Sequence, residues 1–443
     1  MNLTAEVRKI GRRNFLKAAG GASALAALGT TAIVRGPARG GPVRAALIGY
    51  GKQGRMLRDC MDADLMSLVA ICDIRPASDA DKAASAGVRW YQDWRRLLKD
   101  ERIEAVLIAT PLWTHAEIAT ACLKAGKHVL CETAMAGDTA GCRQMMEAAQ
   151  RNKRILAMGY QDYYEPLYWA AYHNIFKQGI LGDVYAIEAA RHSYNSGRVE
   201  SEPDAVSFDP RPWGYASMEQ LLNWRLYRQY SAGLMAEWGG ALVSLTNWFL
   251  EAVPVAVQAN GGIFSYKDGR DVDDHVYATL EYPNGRTVTL SLIQSNGLEK
   301  SYTQFMGTKG TLILGRDEAL LFTKKEANHA TVAMAKLNGS QAVMDASASR
   351  NEEASNHSVL AGGGSAGQGN GTAAFQQEIA GFCGAIRTGA PFRCDVAHAY
   401  DIARTCFAVN DAIQQNKRLN LQGVQAFNEP RAFDVADHWS QYA

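Results

Sequence analysis

The stretch Val43-Arg44-Ala45-Ala46-Leu47-Ile48-Gly49-Tyr50-Gly51-Lys52-Gln53-Gly54 decides the fold of the first half of the chain. An apolar, strand-like run enters a G-x-G-x-x-G loop, and the amphipathic run Arg55 to Met61 follows as a helix. A glycine loop alone is common, but one that leaves a strand and opens a helix has the context of a dinucleotide phosphate loop. Gly49 permits the tight turn, Gly51 lets the backbone approach a pyrophosphate, and Gly54 allows the helix to pack on the strand. The helix N-terminus, with Lys52 and Gln53, faces the phosphates. The next strand, over 67–72, ends on Asp73, nineteen positions beyond Gly54. A carboxylate there accepts hydrogen bonds from the adenosine ribose, which favours NAD. Arg75 would instead receive a 2′-phosphate, so NADP stays open as the alternative.

Working outward, further apolar strands fall at 105–109 and 129–132, separated by helical patterns. Alternation of this kind predicts an α/β domain with a doubly wound parallel sheet over residues 41–158. From Gly159 the pattern changes. Strand signals at 184–190, 253–264, 275–282, 286–294, 302–306 and 311–314 are punctuated by Pro283-Asn284-Gly285 and Lys267-Asp268-Gly269. Helices are expected over 166–177, 234–250, 373–387 and 397–416. Residues 159–443 therefore read as an α+β domain on a large, mainly antiparallel open sheet. Between 332 and 371 the composition shifts to Ser, Gly, Asn and Ala, which predicts a flexible insertion, because few large apolar groups offset the ordering entropy.

The 443 residues exceed what one compact core serves, and 46 Lys plus Arg nearly balance 45 Asp plus Glu. Nothing in that balance points to nucleic acid or an anionic membrane surface; a small molecule is the expected partner. The eight cysteines are scattered without zinc-site spacing, so they read as buried apolar residues and no metal is expected. Residues 1–40 differ in kind. Arg12-Arg13-Asn14-Phe15-Leu16-Lys17 precedes an Ala/Gly-rich stretch from Ala18 to Val34, the pattern of a twin-arginine export signal. Removal of that signal would leave a periplasmic or extracellular protein without a membrane partner.

The run Ala109-Thr110-Pro111-Leu112-Trp113-Thr114-His115, followed by Ala125-Gly126-Lys127-His128-Val129-Leu130-Cys131-Glu132, resembles the glucose-fructose oxidoreductase and inositol dehydrogenase (Gfo/Idh/MocA) family. Further matches are Gly159-Tyr160-Gln161, Asn223-Trp224-Arg225-Leu226-Tyr227 and Phe305-Met306-Gly307-Thr308-Lys309-Gly310-Thr311. The resemblance implies a Rossmann domain, an open-sheet second domain, a sugar or cyclitol held between them, and homo-oligomers formed through the outer face of the second sheet. It implies that Thr110, Pro111, His115, Glu132 and Gln161 help hold the cofactor. Tyr160, Tyr163, Arg191, His192 and Arg225 would fall in segments that line the sugar site. The stretch 223–248 most resembles exported, sugar-processing members, some of which cleave glycosides by oxidation, elimination and re-reduction.

Two proton-handling groups implied by the resemblance are missing. Glu132-Thr133-Ala134-Met135 has threonine in place of the usual lysine, and Glu237-Trp238-Gly239-Gly240-Ala241 has alanine in place of the usual histidine. Ser244 replaces a carboxylate three positions later. Neither a hydroxyl nor a methyl group is a useful base near neutral pH. The candidates left for catalysis are Glu237, which keeps the acid position, His192 and Tyr160. Trp224, Tyr227, Trp238 and Trp248 would either stack on a sugar ring or serve as core. Two readings follow: an NAD-dependent oxidoreductase or redox glycosidase with a rearranged proton relay, and a catalytically degenerate, cofactor-binding subunit or sugar-binding partner of an active homologue.

Overall fold

The computed structural model describes residues 41–199, 208–316, 318–324, 330–338, 341–345 and 371–421; the twin-arginine segment lies outside them. The first domain is a parallel sheet of β1 (Val43–Ile48), β2 (Met66–Cys72), β3 (Arg89–Tyr91), β4 (Ala105–Ile108), β5 (His128–Cys131) and β6 (Leu156–Met158). Its order is β3-β2-β1-β4-β5-β6, so the winding reverses between β1 and β4. Every residue of β4, and all of β1 except Arg44, is buried, as expected of strands covered by helices on both faces.

The second domain carries a ten-stranded sheet. Its strands are β7 (Val184–Tyr194), β8 (Ala256–Gly262), β9 (His275–Glu281), β10 (Thr287–Ile293), β11 (Ser295–Gly307), β12 (Gly310–Gly315), β13 (Glu318–Lys324), β14 (Ala330–Asn338), β15 (Gln341–Asp345) and β16 (Leu419–Asn420). The order is β15-β14-β13-β12-β11-β7-β10-β9-β8-β16; β7 and β10 pair in parallel and the other neighbours are antiparallel. The Pro283-Asn284-Gly285 turn joins β9 to β10 with Asn284 and Gly285 both at positive φ. Alternation buries Val288, Leu290 and Leu292 of β10 under helices, while Thr287, Thr289, Ser291 and Ile293 face outward.

The expected flexible insertion over 332–371 needs correction at its start. Residues 330–338 and 341–345 are strands β14 and β15, and the remainder up to 370 lies outside the described residues. The ladder from β13 to β14, Glu318 opposite Lys336 through Lys324 opposite Ala330, supplies backbone partners that composition does not reveal. The helical stretch 234–250 is present but not uniform. Met235–Gly239 is a π-helical turn, and the regular helix runs Gly240–Leu250. Among the described residues no helix is long and apolar enough to cross a membrane.

Candidate active site

A cleft of about 900 Å³ opens at the C-terminal ends of β1, β2 and β4, where the winding reverses, and is closed on the far side by the second domain. Gly49, Gly51, Lys52, Gln53, Asp73, Thr110 and Pro111 line its first wall; Arg225 and Glu237 line the second. Gly49 sits at φ +92°, and a Cβ there would fall 2.6 Å from the Ala109 carbonyl carbon. A Cβ on Gly54 would fall 2.0 Å from the Gly49 carbonyl oxygen, so Gly54 acts by packing under the loop and does not line the cleft.

Asp73 Oδ2 accepts the Tyr50 backbone N–H at 2.7 Å, and Oδ1 accepts the Arg75 backbone N–H at 2.9 Å and its Nε at 3.1 Å. The carboxylate is thus locked at the end of β2, with the Arg75 guanidinium drawn onto it. An arrangement of this kind presents an acceptor to a ribose diol and occupies the cation that a 2′-phosphate would need.

Glu132 stands one layer back. Its Oε1 accepts from Gln53 Nε2 at 2.7 Å, so Gln53 carries the influence of Glu132 into the cleft. Burial pushes the Glu132 carboxyl up to about 7, opposed by its bond from Gln53. His115 is also behind the wall. Its ring nitrogens lie 2.9 Å from the carbonyl oxygens of Ala134 and Thr110, tying together two loops that border the site. Burial holds the imidazole below its ordinary value. A fully enclosed ring of this kind positions the Thr110 loop and does not itself line the cleft.

Several other expectations are corrected by the packing. Tyr160 and Tyr163 are buried core residues; Tyr163 stacks on Trp248, with ring centroids 5.1 Å apart. Burial drives both phenols well above their ordinary value, and neither ring is among the residues lining the cleft. Gln161 opens a short 3₁₀ turn and is not among the lining residues. His192 lies on the outer face of β7, with Nε2 2.5 Å from Ser291 Oγ and Nδ1 3.0 Å from Asn296 Nδ2. The period of two in the strand sends neighbouring Arg191 inward, where its guanidinium stacks 4.7 Å from the Trp238 ring and stops short of the cleft. Ser244 is fully buried, its hydroxyl donating to the Ala241 carbonyl at 2.7 Å.

Glu237 is one of two carboxylates that the second wall offers for proton transfer; the other, Asp273, accepts from Arg228 Nη2 at 3.2 Å. Glu237 sits in the π-helical turn, a feature frequent at functional sites. Arg225 Nε donates to Glu237 Oε2 at 2.9 Å, while Oε1 is buried without a hydrogen-bond partner. Burial raises the carboxyl above its ordinary value, and Arg225, the neighbouring Ser231 side chain and Arg191 oppose the rise. Arg225 itself is half-exposed and stacks 4.3 Å from the Trp224 ring. Trp224 and Trp238 line the cleft; Trp248 is wholly core.

Sequence reasoning missed Asn195, Arg198, Trp213, Tyr215, Asp273 and Gln294, which complete the second wall. The aromatic density of residues 208–230 was the available signal. Among the described residues no group of three or more His, Cys, Asp or Glu side chains is placed to hold a metal ion.

Comparison with known proteins agrees with this architecture. Residues 43–160 match the model of an oxidoreductase family with an NAD-binding Rossmann fold, and residues 169–313 match the GFO/IDH/MocA C-terminal domain. A glycosyl hydrolase family 109 protein of Stenotrophomonas maltophilia is 29% identical over 341 residues, covering 68% of this chain and 73% of that protein. Inositol 2-dehydrogenase of Salmonella paratyphi B is 32% identical over 170 residues, spanning 37% of this chain and half of the enzyme. A levoglucosan dehydrogenase solved with NADH and levoglucosan superposes with a TM-score of 0.67 at 19% identity, covering 86% of this chain and all of that one. Matched in both of its domains, the chain belongs to the GFO/IDH/MocA oxidoreductase family and carries that family's NAD-binding Rossmann domain.

Proposed function

We propose that the protein oxidises a carbinol carbon of a sugar or glycoside with NAD, and that Glu237 takes the hydroxyl proton in place of the missing lysine and histidine. The observation that carries the reading is the unpartnered, buried Oε1 of Glu237 on the wall facing the phosphate loop. A carboxylate oxygen with no partner of its own is free to accept a substrate hydroxyl, and desolvation raises its basicity toward that of a working base. Bound NAD supplies the hydride acceptor. Arg225 holds the other carboxylate oxygen and favours its ionised form, while Gln53, fixed by Glu132, and the Thr110 loop, fixed by His115, shape the opposite wall.

The glycosyl hydrolase family 109 relative supports a glycoside as substrate and its cleavage as the outcome, and the NAD-binding domain supports a redox-assisted route. In that sequence the oxidised sugar carbon acidifies its neighbouring C–H. Loss of that proton would expel the aglycone as an alcohol, addition of water to the resulting double bond would follow, and the bound cofactor would supply the hydride that returns the ketone to a carbinol. The twin-arginine motif supports export of the folded protein. A second reading, a cofactor-holding subunit that no longer turns over, is favoured by one observation: threonine and alanine stand at both usual proton-handling positions, Thr133 and Ala241. Incubating the NAD-loaded protein with sugars, inositols and aryl glycosides separates the two. NADH formation or aglycone release supports the enzyme, and full cofactor occupancy with no product from any of them supports the subunit.

A further inference from the structure

Arg225 and Arg228 stand three positions apart in the chain, and each holds one oxygen of a different carboxylate on the second wall. Arg225 takes Glu237; Arg228 Nη2 donates to Asp273 Oδ1 at 3.2 Å. Asp273 is only 7% exposed, yet it lines the cleft, and its Oδ2 bonds to none of the described residues. The wall thus repeats one arrangement: a carboxylate with one oxygen on a guanidinium and the other without a protein partner.

Asp273 is the more firmly placed of the two. The Arg228 backbone N–H donates to Asp271 Oδ1 and its Nε to the Asp271 carbonyl, both at 2.6 Å, while the Asp271 backbone N–H donates to the Leu226 carbonyl at 3.1 Å. These bonds zip the arginine onto the chain that carries the carboxylate. On the neighbouring strand, the Gln294 backbone N–H donates to the Asp274 carbonyl at 3.0 Å, which sets Gln294 beside Asp273 where β10 ends and β9 begins. Arg270, its side chain fully buried, donates from Nη1 to Gln294 Oε1 at 2.9 Å. The amide oxygen is thereby taken, and Nε2 is left as a donor on a residue that lines the cleft. One corner of the wall therefore holds a fixed carboxyl next to a fixed N–H donor, a pair suited to two adjacent oxygens of a saccharide. Burial raises the Asp273 carboxyl above its ordinary value, Asp274 adds to the rise, and Arg228 and His275 oppose it.

We infer that Asp273 donates the proton taken up by the glycosidic oxygen as the aglycone departs, while Gln294 donates to a hydroxyl oxygen beside it. The inference rests on the redox-assisted cleavage proposed above. Once the sugar is a ketone, its neighbouring C–H proton goes to Glu237, whose earlier proton has passed to solvent. The C–H electron pair forms the new double bond, and the pair of the breaking C–O bond goes to the aglycone oxygen. That oxygen takes the Asp273 proton and leaves as an alcohol. Water then adds its hydroxyl to the carbon that lost the aglycone, its proton restores Asp273, and the Glu237 proton returns to the neighbouring carbon.

A proton donor matters in proportion to the basicity of the leaving oxygen: an alkoxide needs one and 4-nitrophenolate does not. The test therefore uses the NAD-loaded full chain with 4-nitrophenyl and methyl glycosides of the common hexoses, pentoses and hexosamines. Asp273→Asn is expected to cut methanol release by about 10²-fold or more, with 4-nitrophenol release within about threefold of wild type. On the methyl glycoside the variant should also build up NADH absorbance, because oxidation proceeds while the next bond stays intact. That signal comes only from a folded, cofactor-bearing variant. Equal loss on both leaving groups, no loss on either, or a wild type that never releases methanol while it releases 4-nitrophenol would overturn the role of Asp273 and leave the cleavage reading standing. A wild type that releases neither alcohol from any of these glycosides would overturn the cleavage reading and the proton donor with it.

Discussion

Arg225 Nε and Glu237 Oε2 are 2.9 Å apart, and the second oxygen of that carboxylate is buried with no partner. One oxygen is committed to a cation, and on the proposed reading the other takes the substrate hydroxyl. Glu237→Gln keeps the shape and removes the base. Turnover is expected to fall by about 10²–10⁴-fold with NAD affinity unchanged, as read by steady-state kinetics beside fluorescence titration.

Arg225 also sets the acid limb of the pH profile. Burial raises Glu237 and Arg225 lowers it, so removing the guanidinium lets the carboxyl rise further. Arg225→Ala should move the acid limb of kcat/KM to higher pH, because the base must be deprotonated to work. An unmoved limb would exclude Glu237 as the titrating base.

Glu132 predicts a pH dependence of stability with the opposite sense to an ordinary ion pair. Its folded value of about 7 lies above the ordinary 4.5, so between those values the native state keeps a proton that the unfolded chain has released. Stability therefore falls as pH rises through that window. Glu132→Gln removes the titration and should flatten the fall by about 1–3 kcal/mol, measured by urea unfolding at several pH values.

His192 should be silent in catalysis. It sits on the outer face of β7 against Ser291 and Asn296, away from the cleft. His192→Ala is expected to cost about 1 kcal/mol of stability through those lost bonds and to leave kcat and KM where they are.

Asp73 and Gly54 test the cofactor wall separately. Asp73→Ala removes the ribose acceptor and the carboxylate that Arg75 bonds, so NAD affinity should drop by roughly 10–100-fold while NADP is lost less. Gly54→Ala drives a methyl group into the Gly49 carbonyl, and a cost of about 1–3 kcal/mol in stability together with weakened binding of both nucleotides is expected.

The first domain was legible because its signals are local. The glycine loop, the apolar strands and Asp73 each depend on residues a few positions away. Glu237 and Arg225 were found through a motif, and the structure brings them together. His192 was misread because its direction depends on which face of β7 the helices cover, a matter of sheet register rather than of spacing. Tyr160 and Tyr163 were misread because an aromatic residue near a site serves the core equally well. The packing of residues 208–230 on the first domain escaped notice because it joins residues as far as 102 positions apart, as Trp113 and Tyr215 are. Strands β14 and β15 were hidden by small residues, since their order comes from pairing along the sheet edge.

The most direct test of the central claim is a single turnover on bound NAD. Protein loaded with one NAD per chain is mixed with a glycoside substrate, and NADH absorbance is followed in the wild type and in Glu237→Gln. The account predicts prompt NADH formation in the wild type and its near absence in the variant at equal cofactor occupancy. Equal NADH formation in both would show that Glu237 does not handle the proton and would contradict the account.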